Sequence, residues 1–140
     1  MKSRKVFLVV LIGIAAGCGK TAVKPVDIFS EDMCSFCRMT VSDQSFASEI
    51  ITGKGDALKF DDIGCMEEYW QTSKDVEVAA TFVKDYETKS WIPMEKSTIV
   101  VTCIATPMGS GKIAFADSAK AVEYLKKYPL DGSAETKKER

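Results

Sequence analysis

The chain contains no histidine. Any metal it holds must therefore be bound without imidazole, through sulfur or through carboxylate or backbone oxygen. Apolar runs of membrane-spanning length are missing as well: residues 6–14 are uniformly apolar but fall well short of the roughly 20 residues that a spanning helix needs. The chain also has no excess of charge. Its 19 basic and 20 acidic residues leave a net charge of −1, with no basic stripe interleaved with aromatics, so nucleic acid is excluded as an expected partner. At 140 residues there is enough chain for one domain with a real core but not for two, and one domain is expected.

Sulfur is what the chain does have. Residues 33–39 read Met33, Cys34, Ser35, Phe36, Cys37, Arg38, Met39, with two thiols and two thioethers close together. Thiolate and thioether ligands together favour Cu(I), whereas zinc prefers thiolate, imidazole or carboxylate and gains little from methionine. The segment reads as a copper(I) site. A further methionine, Met108, sits in a turn between Pro107 and Gly109, where a side chain is more often exposed than packed and so is available as a ligand.

The N-terminus carries a secretory pattern. Lys2, Arg4 and Lys5 precede the apolar stretch, and Ala15, Ala16 and Gly17 lead directly into Cys18. A cysteine after small residues is the pattern of a bacterial lipobox, so residues 1–17 are expected to be removed and Cys18 to carry the lipid. Residues 18–32 read as a spacer between lipid and domain, 33–129 as the domain, and 130–140 as a polar tail. The expected location is extracytoplasmic, anchored to a bacterial membrane and facing the periplasm, on the outer membrane if the cell is Gram-negative.

Between these ends the chain repeats. Phe60, Asp62, Glu68 and Tyr69 match Phe115, Asp117, Glu123 and Tyr124 at one constant offset. Asp62 and Asp117 are suited to cap helices, because an Asp carboxylate accepts the free N–H groups of a first turn. Apolar stripes follow each, with Ile63, Met66, Tyr69 and Trp70 in the first and Ala121, Val122, Tyr124, Leu125 and Tyr128 in the second. Hairpin signals precede each helix: residues 46–52 and 56–60 flank Gly53 and Gly55, and 98–106 and 112–115 flank Pro107 to Gly111. Residues 76–83 read as a strand following the first helix. The expected fold is α+β, two strand-strand-helix (ββαβ-like) units forming a small sheet-and-helix sandwich.

Several segments resemble the NosL family, the nitrous oxide reductase accessory lipoproteins. They are Cys34-x-x-Cys37-x-Met39, Phe46 to Ile50, Phe60 to Met66, and Thr106 to Gly111 with Ile113 to Phe115, in order along nearly the whole domain. The resemblance implies a surface lipoprotein that binds one Cu(I) and passes it, through a membrane ABC-type maturation complex, to apo nitrous oxide reductase or another copper enzyme. It also implies a two-part ββαβ-like architecture akin to organomercurial lyase. Cys37 and Met39 fall on the family's Cys-x-Met ligand pair and Met108 on its Met-Gly turn, while Cys34 matches an additional cysteine of some members. The chain departs from the family pattern in having no histidine and in placing Arg38 where a glycine is common.

Cys65, on the first helix, and Cys103, in the apolar run 99–104, are expected to pack as small core residues. Two rival readings use the same sulfur. One is a thiol-disulfide oxidoreductase cycling Cys34 and Cys37, although such motifs open a helix after a strand and this one follows a polar spacer. The other is a structural zinc site of Cys34, Cys37, Cys65 and Cys103, which leaves the methionines unexplained.

Overall fold

The computed structural model describes residues 22–130; the expected signal segment and Cys18, and the tail from 131 onward, lie outside the described residues. The fold is α+β. Strands β1 (Ser48–Thr52) and β2 (Ala57–Phe60) form a hairpin whose turn places Gly55 at φ 90°, a conformation that favours glycine. Strand β3 (Val78–Lys84) pairs antiparallel with the other edge of β1, and β4 (Trp91–Pro93) with β3, so the sheet order is β2-β1-β3-β4. Strands β5 (Thr98–Val101) and β6 (Lys112–Phe115) make a separate antiparallel pair. The two sheets are stitched where the Tyr86 N–H donates to the Ala114 carbonyl at 2.8 Å and the Ala116 N–H to the Asp85 carboxylate at 2.7 Å.

Helices α1 (Ile63–Thr72) and α2 (Ser118–Lys127) follow β2 and β6, so each half runs strand, strand, helix. The repeat read in the sequence is present in three dimensions. Asp62 accepts from the Gly64 N–H and Asp117 from the Ala119 N–H; Phe60 packs on Tyr69 with ring centroids 5.3 Å apart, and Phe115 on Tyr124 at 5.5 Å. Met66 and Ala121, at equivalent turns of the two helices, are both buried. The stripes are narrower than the periodicity suggests, because Trp70 and Val122 face solvent.

One core, of Ile50, Phe60, Ile63, Met66, Val83 and Ala114, lies between the four-stranded sheet and α1, and it includes Cys34 and Cys65. A second joins Phe46, Ile113, Phe115 and Ala121 beneath α2. Strand β1 is buried on both faces, as expected of a central strand, because part of the N-terminal segment lies across it. Ile28 packs with Val41, Ala47 and Trp91, and the Val26 N–H donates to the buried Glu49 carboxylate at 3.0 Å.

The strand expected over 98–106 ends at Val101. Thr102 closes the loop instead: its N–H donates to the Gly111 carbonyl at 2.8 Å, its hydroxyl to the same oxygen at 3.0 Å, and the Ile104 N–H turns back onto that hydroxyl. Gly111 stands at φ 65°, where a Cβ would lie 2.4 Å from the Thr102 carbonyl oxygen. The chain therefore leaves the sheet, and Cys103 is exposed rather than in the core.

Candidate metal centre

Three segments converge at the N-terminal end of α1. The first is a tight turn in which Met33 bridges to Thr40, the Cys34 N–H donates to the Met39 carbonyl at 2.7 Å and the Arg38 N–H to the Cys34 carbonyl at 3.1 Å. Arg38 closes it at φ 66°, the left-handed region that favours glycine. The Ser35 N–H then ties the turn to β2 through the Lys59 carbonyl at 2.7 Å. The second segment is the end of β2, where Asp61 follows Phe60; the third is the first turn of α1, which carries Cys65.

The Sγ atoms of Cys34, Cys37 and Cys65 and a carboxylate oxygen of Asp61 all lie within 4.8 Å of one another. The Cys37 thiol donates to Asp61, 3.6 Å from one carboxylate oxygen and 3.7 Å from the other. Asp61 is 1% exposed, and no cationic side chain pairs with it among the described residues. Burial pushes the Cys34 thiol up, while the backbone N–H groups of Asp61, Cys37 and Phe36 oppose the shift. The Cys65 thiol is pushed far above its ordinary range, first by burial and then by the negative charge of Cys34 and Asp61. Four donors converge, and two of them, the Cys34 and Cys65 thiols, are made costly to ionise by burial, an arrangement that a bound cation would relieve.

Of the residues singled out in the sequence, Cys34 and Cys37 are in this cluster. Met108 stands at its edge: it lines a cavity of about 320 Å³ together with Phe36, Gly64, Cys65 and Ser110. Asp62 holds the Met108 loop there, accepting the Ser110 hydroxyl at 2.5 Å and the Met108 N–H at 3.3 Å. Met39 shapes the turn through its carbonyl, and the residue is 48% exposed. Cys65 packs in the core as expected, and its sulfur also lies in the cluster with two other thiols and a carboxylate. Asp61 is not among the residues that the sequence pattern marks. The signal for both was the interval from Asp61 to Cys65, which spans the strand end, the capping residue and one helical turn, and so returns the cysteine toward the carboxylate. Cys103 is outside the cluster, which removes the four-cysteine zinc set.

The sequence model of the NosL family matches residues 25–132, most of the chain and all three converging segments. This chain belongs to the NosL family. The crystal structure of the copper chaperone NosL from Shewanella denitrificans has the same fold, with a TM-score of 0.68 at 16% identity over 77% of this chain and 90% of that one. No curated protein sequence matches significantly. Among the described residues, no helix of this NosL chain is long and apolar enough to cross a membrane.

Proposed function

We propose that this NosL-family protein is an extracytoplasmic Cu(I)-binding metallochaperone, tethered through Cys18, that delivers copper for maturation of nitrous oxide reductase or a similar copper enzyme. The observation that carries the reading is the convergence of Cys34, Cys37 and Cys65 with Asp61 within 4.8 Å, in a chain of the NosL family. Copper(I) is satisfied by two or three sulfur ligands, and soft thiolate and thioether donors select it. Cys34, Cys37 and Cys65 supply thiolates, while Met108 at the cavity and Met39 on the turn supply neutral thioethers.

The division of labour suits a carrier. Thiolates hold the ion against loss, and weaker thioethers at the surface let a partner's ligands replace the protein's own stepwise. A membrane ABC-type maturation complex and the apo copper enzyme are the proposed partners. The redox alternative is less well supported, because Cys34 and Cys37 occupy a tight turn rather than the start of a helix, and Cys34 is fully buried.

The test is Cu(I) titration of the full chain, purified in detergent under reducing and metal-free conditions, against a competing chelator. About one tightly held Cu(I) per chain is expected, with transfer to an apo copper enzyme on mixing. Failure to compete with a weak chelator overturns the reading, and rapid metal-free disulfide exchange with a model substrate supports the redox alternative instead.

A further inference from the structure

The outer face of the four-stranded sheet is covered by a strap with a weak hold on it. Strand alternation and register place Lys59 of β2, Glu49 of β1, Lys84 of β3 and Trp91 of β4 on that face. Residues 22–29 run across it without forming a helix or strand, and of them Ile28 alone is buried, against Val41, Ala47 and Trp91. Polar groups are stranded beneath. One Glu49 carboxylate oxygen and the Trp91 indole N–H are buried without a hydrogen-bond partner among the described residues, and the Lys84 ammonium sits over the indole ring, 4.3 Å from its centroid. Burial makes both the Glu49 and the Lys84 charge costly. A segment with one apolar anchor above unpaired polar groups docks only marginally.

Lys59 ties this strap to the turn that carries Cys34 and Cys37. Its ammonium donates to the Asp27 carbonyl at 2.7 Å and to the Asp32 carboxylate at 2.5 Å, and lies 5.5 Å from the centre of the Phe29 ring. Its backbone carbonyl accepts the Ser35 N–H, inside the turn, at 2.7 Å. Asp32 completes the link. Its carboxylate accepts the Phe29 N–H at 2.7 Å, and its carbonyl accepts the Val41 N–H, where the chain leaves the turn, at 2.9 Å. One lysine thus holds the strap with its side chain and the turn with its main chain, and in the sequence the strap lies between Cys18 and that turn.

We propose that Lys59 is a positioning residue for the metal turn and that residues 22–32 are a detachable latch: docked, the strap keeps the turn closed on its cargo, and undocked, it loosens the turn for hand-off. The inference rests on the copper reading for the identity of the cargo but not for the coupling of strap to turn. Such coupling is reciprocal, so a metal that closes the turn also holds the strap down.

Amide hydrogen exchange of the full chain in detergent reads both ends of the latch. Lys59→Met keeps an unbranched apolar stem and removes the ammonium. It should speed exchange at least about fivefold at Val26 and Phe29 on the strap and at Cys34 and Arg38 on the turn, and speed Cu(I) loss to a chelator by a similar factor at unchanged stoichiometry. Lys59→Arg, which keeps a cation and its donors, should stay close to the parent. Cu(I) loading of the parent should slow exchange at Val26 and Phe29. If Lys59→Met does not fold, Ile28→Ala removes the strap's apolar anchor, leaves Lys59 in place and makes the same comparison. Acceleration confined to the strap overturns the proposal, and so does a Cu(I)-loaded parent in which the turn gains protection and the strap does not. A chain that binds no Cu(I) removes the copper reading, while joint acceleration of strap and turn in the metal-free variant still upholds the latch.

Discussion

Cys65, one turn into α1, brings its sulfur within 4.8 Å of the sulfur of Cys34, which lies on a turn ahead of the first strand. The contact joins the two ends of the candidate metal cage and gives a core residue a place in it. Cys103, by contrast, faces solvent beyond the end of β5.

The two cysteines should therefore behave oppositely. Cys65→Ser is expected to lower Cu(I) affinity by more than the roughly tenfold typical of losing a supporting partner, whereas Cys103→Ser should change neither affinity nor thermal stability measurably. Chelator competition and thermal unfolding of the two variants decide the matter. If Cys65→Ser holds copper as tightly as the parent chain, Cys65 is not a ligand.

The surface methionine calls for a graded result. Met108 is 43% exposed, and leucine keeps its volume, so Met108→Leu should shift unfolding stability by no more than about 0.5 kcal/mol. It should still weaken Cu(I) binding, though less than Cys37→Ser, because a thioether is a weaker ligand than a thiolate. Unchanged affinity and transfer rate in Met108→Leu would reduce that residue to a loop contact.

Local chemistry was legible in the residues. Asp62 and Asp117 announced two helix starts because a cap acts over two or three residues, and the constant offset between Phe60 and Phe115 exposed the duplication. Cys34 and Cys37, with Met33 and Met39 beside them, pointed to a candidate soft-metal site for the same reason, since both thiols lie on one turn. Asp61 and Cys65 were not legible, because their role depends on how β2 and α1 meet the earlier turn, a long-range relation that periodicity does not encode. Strand β4 went unread because it is three residues long and contains Pro93. Residues 102–106 looked like a strand from composition, but the Thr102 hydroxyl and Gly111 form a closure that composition cannot show.

Glu49 offers a test by pH. Burial holds its carboxyl above the ordinary value, with the Val26 N–H and the charges of Lys59 and Lys84 pulling the other way. The folded state thus binds this proton more tightly than the unfolded state, so the group favours folding at low pH and loses that contribution as pH rises through its folded value. Glu49→Gln removes the titration and keeps an oxygen for Val26. The variant should be more stable than the parent at pH 7, with the gap closing as pH falls toward the ordinary carboxylate range. Denaturant unfolding across that range checks the sign, and a parent chain that gains stability over Glu49→Gln as pH rises would reverse it.

Asp62 and Asp117 cap equivalent helices but carry different loads. Among the described residues the Asp117 carboxylate accepts the Ala119 N–H alone, at 2.8 Å and at an exposed position, so Asp117→Ala should cost about 1 kcal/mol. Asp62 is fully buried and accepts the Gly64 N–H, the Ser110 hydroxyl and the Met108 N–H. Its loss adds two hydrogen bonds to a charged acceptor, and Asp62→Ala should cost about 3–4 kcal/mol. The larger loss carries a second signature, because Asp62 anchors the loop that presents Met108 beside Cys65. Asp62→Ala should lower Cu(I) affinity about as much as Met108→Leu does, and the double variant should bind copper no more weakly than Asp62→Ala alone. Additive losses in that cycle would mean that Met108 reaches the metal without Asp62, and equal stability costs at the two caps would mean that the loop is held by other contacts.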